Sequence, residues 1–187
     1  GDLPPIPAVV ADPSVPFGYY ADRKLFVHNM GHAMCTYLGR LCGDREIWQA
    51  IGRADLRALV RAAMVESVAA IAACYGRPVG PLLDHVDDLL YRFGNRALGD
   101  TIARVGADPG RKLAAGDRLI GAYRLCLAQG VDPRHIRLGL AAGLCQLADE
   151  GALTPADQDA FLLAQGLTDP AERTVVAEYG AVLRGGF

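Results

Sequence analysis

Apolar side chains recur at intervals of three and four along most of this chain, and that spacing commits it to helices packed on helices. The clearest stripe is Leu56, Leu59, Val60, Ala63, Met64, Ser67 and Ile71. A period of about 3.6 residues lines these up on one face. The stripe predicts a helix over 55–75, closed by Gly76 and Pro78. Similar spacing predicts helices over 22–39, 81–93, 117–129, 133–149, 155–164 and 170–183. Four of these begin on proline, whose missing N–H costs nothing in the first turn, and Thr154 and Asp169 are placed to cap. Gly39 and Gly43 are expected to end the first helix. No period-2 run of useful length appears, so no strand is expected and the fold class is all-α.

At 187 residues the chain suits one domain with a sizeable core. Residues 1–17, "GDLPPIPAVVADPSVPF", are proline-rich, which removes backbone donors and favours extended chain. The expected division is an arm or linker over 1–18 and a helical domain over 19–187. A net charge of -2 with interspersed signs argues against a nucleic-acid surface, which needs a concentrated basic face. No apolar run is read as long enough to span a bilayer, and the start lacks signal-peptide character. A cytoplasmic protein without membrane contact is therefore expected. Five widely spread cysteines without a C-x-x-C pair read as reduced core thiols.

The stretch "ADRKLFVHNMGHAMCTYLG", residues 21–39, sets Lys24, His28, Asn29 and His32 among oily neighbours. At about 100° per residue, with Lys24 at 0°, His28 falls at about 40°, His32 at about 80° and Asn29 at about 140°. All four share less than half the circumference. One reading is a solvated face. Leu25, Phe26, Val27, Met30, Ala33, Met34 and Cys35 leave little angular room for water, so a buried helix with a polar pocket is the other. His28 and His32 also have the i, i+4 spacing of helical zinc ligands, but no glutamate follows the first histidine as in zinc proteases, and no metal is expected. His85 and His135 read as hydrogen-bonded histidines of the core.

That stretch, followed by "HVDDLLYRFGNRALGDTIARVGADPGRKLAAGDRLIGA", resembles the carboxy-terminal domain of the mannitol dehydrogenase family, most closely its mannitol-1-phosphate 5-dehydrogenase members. The shared features are K-x4-N-x2-H, an N-x-G-H tetrad, Y-L-G, and R-V-G-x-D-P-x-R-K-L. The resemblance implies a multi-helix substrate domain without a Rossmann sheet and without catalytic metal. Its function would be metal-independent oxidation of a polyol, or reduction of the ketone, with NAD. Lys24 matches the general acid/base, and burial or a neighbouring cation makes an ammonium easier to deprotonate. Asn29 and His32 match the pair that stabilises the reacting oxygen. Arg104 and Lys112 match positions that grip the far end of the open-chain sugar, and Arg111 adds a cation suited to phosphate. Read without the resemblance, "RVGADPGRK" is a helix end and a turn with solvated charges, Asp108 and Pro109 making the turn; Asp100 and Asp117 cap helices or pair with arginines.

Family enzymes begin with a Rossmann domain that holds the cofactor. No glycine-rich turn after a strand is found here, so no dinucleotide site is read in this chain, and alone it is expected to be inactive. Two functions follow. The first is the substrate-binding and catalytic half of an NAD-dependent polyol-phosphate oxidoreductase, partnered by a Rossmann domain. The second is a stand-alone helical module that binds sugar phosphates without catalysis. An exposed apolar docking face would favour the first.

Overall fold

The computed structural model describes residues 14–185. Most of the expected proline-rich arm lies outside these, and helix begins at Phe17. The elements in chain order are α1 (Phe17–Asp22), a π-helical segment (Arg23–Asn29), α2 (Met30–Leu41), α3 (Ile47–Gly52), α4 (Ala54–Tyr75), α5 (Gly80–Phe93), α6 (Ile102–Gly106), α7 (Pro109–Lys112), α8 (Arg118–Ala128), α9 (Arg134–Asp149), α10 (Gln158–Ala164) and α11 (Pro170–Gly185). Short 3-10 turns stand at Arg96–Leu98 and Pro155–Asp157. Among the described residues there is no strand, only an isolated antiparallel bridge between Glu46 and Thr101. The all-α expectation holds.

Helix α2 is the axis of the fold, packed against α3, α4, α6, α8 and α9. Met30, Ala33, Met34, Cys35, Thr36, Tyr37, Leu38 and Gly39 are buried around its whole circumference, so burial rather than one amphipathic stripe holds it. The stripe of α4 is buried at Leu56, Val60, Ala63, Met64, Ser67 and Ile71 and half-exposed at Leu59. This helix also has the length and mean apolarity of one that could cross a membrane, contrary to the sequence reading; in the structure it is a core helix.

Two of these expectations differ for identifiable reasons. The helix predicted over 22–39 runs on to Leu41. Gly39 does not stop it: the residue is buried where α2 crosses α3, and a Cβ there would lie 2.5 Å from Ala50 Cβ. The chain reverses at Gly43, whose φ of 76° is reached at little steric cost without a side chain. Thr154 donates its hydroxyl to Asp157 Oδ2 at 2.5 Å instead of capping, while Asp169 accepts from the Ala171 N–H at 2.9 Å as expected. Of the cysteines, Cys35, Cys126 and Cys145 are buried, Cys42 is half-buried and Cys74 is exposed; all five are free.

Candidate functional site

The segment that carries Lys24, His28 and Asn29 is wound as a π-helix. The Met30 N–H reaches back five residues to the Leu25 carbonyl, a wider turn that is rare and concentrated at functional sites. Each residue there advances by less than the α-helical 100°, which corrects the angular placement made from sequence. Residues five apart are brought one above the other, and Lys24 and Asn29 are five apart. The burial expected of this stretch is also revised: Val27 is buried, Leu25, Phe26, His28 and Asn29 are half-buried, and Lys24 is exposed. From Met30 onward the helix is core.

Among the described residues no ion pair or hydrogen bond engages the Lys24 ammonium or the Asn29 amide. His32 lies one α-turn beyond His28, the two rings 6.2 Å apart. The His32 imidazole is 20% exposed and stacks on Phe93, with centroids 4.8 Å apart and planes at 15°. Burial, then the positive charges of His28, Arg104, Arg118 and Lys112, lower its pKa to about 4, so near neutral pH the ring is uncharged with one N–H to donate. Its Nε2 is buried and makes no hydrogen bond; the carboxylate of Asp100, at 3.6 Å, is beyond that range. A buried polar atom left without a partner is costly unless a ligand supplies one. Among the described residues no three of His, Cys, Asp and Glu converge on a common point.

Asp100 links this point to the second motif. Its other oxygen accepts from the Arg104 guanidinium, and the Thr101 hydroxyl caps α6 through the Arg104 N–H at 3.2 Å. Arg104 is therefore brought to the edge of the His32 site, at the end of a fixed helical turn. Lys112 is also near it, but buried, with its ammonium donating to the carbonyls of Val105, at 2.6 Å, and Ala107. Two of its three N–H donors are thus spent on the backbone, leaving one. Burial, and then Arg118 and Arg111, lower its pKa. Gln146 takes the carbonyl between them, Gly106, at 3.0 Å, so three successive carbonyls behind Arg104 are bound by buried side chains.

The turn between them is made by Asp108, as expected. It stands in the left-handed region at φ 58°, directly before Pro109. Such a backbone costs about 1–3 kcal/mol for a non-glycine residue, and here its carboxylate accepts from Arg111 Nε at 2.7 Å. Arg111 also donates to Asp117 at 3.1 Å and is exposed. Asp117 caps α8 through the Arg118 N–H, and Arg118 Nε returns to the same carboxylate at 2.8 Å.

Arg118, Phe93 and Tyr37 escaped the reading of motifs. Arg118 follows Asp117 within the matched block, but nothing in its spacing marks it. Phe93 looks like any core residue of α5. Tyr37 is buried with its hydroxyl unpartnered, and burial pushes its pKa up. Two grooves elsewhere, about 290 Å³ between α9 and α11 and about 580 Å³ beside Trp48 and Arg57, are lined by none of the expected site residues. His85 is half-buried, and His135 joins Glu66 through Nδ1 at 2.5 Å.

Residues 17–160 match the mannitol dehydrogenase C-terminal domain, and the chain belongs to that family. Among solved structures it is similar to Pseudomonas fluorescens mannitol 2-dehydrogenase in ternary complex with NAD and D-mannitol, at 22% identity and a TM-score of 0.67. The match covers 91% of this chain and 38% of that one, so the chain spans well under half the length of that enzyme.

Proposed function

We propose that this chain is the substrate-binding and proton-transferring half of an NAD-dependent polyol oxidoreductase, and that its substrate is phosphorylated: mannitol 1-phosphate to fructose 6-phosphate, reversibly. The observation that carries this reading is the exposed, unpaired Lys24 stacked one π-turn from the free amide of Asn29, beside a neutral His32 whose Nε2 lacks a partner. Among the described residues no strand–turn–helix exists to cradle a dinucleotide, so the cofactor belongs to a Rossmann domain outside these residues. A nicotinamide held there would supply the hydride acceptor.

Lys24 as the free amine takes the hydroxyl proton, and its ammonium returns it in the reduction. Asn29 and His32 donate N–H bonds to the oxygen as negative charge grows on it. Neutral His32 suits this work because it adds no fixed charge that would hold the ground state equally. Arg104 and the remaining Lys112 donor face the rest of the chain of hydroxyls.

Exposed Phe17 and Tyr20 on α1, immediately before Lys24, support a covering domain at this edge. Fusing the chain behind a family Rossmann domain and following NAD reduction tests the reading. Activity in the fusion that falls about 10²–10⁴-fold with Lys24→Ala is expected. A well-folded but inactive fusion, together with sugar-phosphate binding by the chain alone, would establish a binding module instead.

A further inference from the structure

The three cations first read as gripping the far end of the substrate are each engaged. Arg104 is held by Asp100, Arg111 lies between Asp108 and Asp117, and the Lys112 ammonium caps two carbonyls. Arg104 and Arg111 are also 65% and 54% exposed, so water screens whatever they attract. Arg118 differs. Its side chain is only 16% exposed, its Nε is committed to Asp117 Oδ1, and among the described residues neither of its η nitrogens makes a hydrogen bond.

Packing fixes where that fork stands. One turn on from Arg118, Gly121 lets α8 close on the π-helical segment, since a Cβ there would lie 2.5 Å from Phe26 Cε1. Leu119 and Met34 meet over Gly139, which sets the same turn against α2. Two buried polar atoms on that stretch of α2 have no partner, His32 Nε2 and the Tyr37 hydroxyl. Charge also favours an anion here. Arg111 pairs with Asp108 and Asp117 and Arg118 with Asp117, while the Lys112 ammonium is held by carbonyls alone, so these three cations and two carboxylates leave one positive charge in excess. The Arg118 charge is close enough to disfavour protonation of His28, His32 and Lys112.

We infer that Arg118 is the residue that holds the charged end of the substrate, its two free η nitrogens taking two oxygens of a phosphate monoester while Asp117 keeps the guanidinium plane fixed. The inference rests on the polyol reading above and names the residue that sets its specificity. A guanidinium fork matches two oxygens of one phosphate, and a desolvated cation acts on them more strongly than an exposed one.

The test is calorimetric titration of the chain with mannitol 1-phosphate and with mannitol, repeated for Arg118→Gln, Arg118→Lys and Arg111→Gln, with circular dichroism as the check on folding. The wild-type chain should prefer the phosphorylated sugar, and Arg118→Gln should erase about 10- to 100-fold of that preference. Arg118→Lys should keep part of it, and Arg111→Gln should change it by about fivefold or less. If Arg118→Gln does not fold, the wild-type Arg118 Nε–H resonance gives the answer: it should move with the phosphorylated sugar and stay with mannitol. Preference lost in Arg111→Gln but kept in Arg118→Gln overturns the inference. Equal binding of both sugars overturns it while leaving the polyol reading intact, and binding of neither overturns both.

Discussion

Replacing Gly39 by alanine tests whether the α2–α3 crossing is as tight as the structure draws it. The added Cβ would stand 2.5 Å from Ala50 Cβ and 2.9 Å from Ile102 Cδ1, where carbon atoms settle at about 3.5–4.0 Å. The overlap with Ala50 is therefore about 1 Å, and Ala50 Cβ is carried rigidly by helix backbone, so no rotamer relieves it. Overpacking of this kind costs about 1–3 kcal/mol. Alanine's better helix propensity returns about 1 kcal/mol. The rigid neighbour puts the cost in the upper part of its range, giving a net loss of about 1–2 kcal/mol. At about 2–4 °C per kcal/mol for a chain of this size, thermal unfolding followed by circular dichroism should drop by about 2–8 °C. Adding Ala50→Gly removes the clash partner, so the double-mutant cycle should show a coupling of about 1 kcal/mol or more in the favourable direction. Because Ile102 opens the short helix that carries Arg104, the single variant should also weaken sugar binding. A Gly39→Ala chain that melts at or above the wild-type temperature, or a cycle without coupling, would refute the close-approach argument.

Two further outcomes follow from the same geometry. With its pKa lowered to about 4 against about 6.5 in the unfolded chain, His32 binds fewer protons when folded. Its contribution, of order 3 kcal/mol, is complete above about pH 6.5 and is lost as pH falls toward 4. Urea unfolding at pH 7 and pH 5 should show the loss in wild type and a smaller one in His32→Asn; equal losses would discount the buried neutral ring. Glu66 accepts from the His135 and Ile136 N–H groups at 3.0 and 3.1 Å at the start of α9, so Glu66→Gln should cost about 1–2 kcal/mol, seen as a lower urea midpoint, and an unchanged midpoint would contradict the capping role.

Much of this molecule is local and was legible as such. The stripe of α4, the proline starts and Gly76 write helices into the chain because helical period, capping and chain reversal are decided within a few residues of one another. The Asp108–Pro109 turn is legible for the same reason, while Lys24, Asn29, His32 and Arg104 were singled out together by the family resemblance that their motifs carry. What the tertiary structure alone decided depends on which surfaces meet. The π-winding of Arg23–Asn29 brings Lys24 over Asn29, where α-helical arithmetic set them apart. Gly39, which reads as a helix stop, became a crossing point once Ala50 was placed against it. Lys112, which reads as a free cation, turned inward because the Val105 and Ala107 carbonyls behind Arg104 converge on it only in the folded turn. Arg118 carries no signal in sequence, since a cation's availability is set by how many partners the fold leaves it.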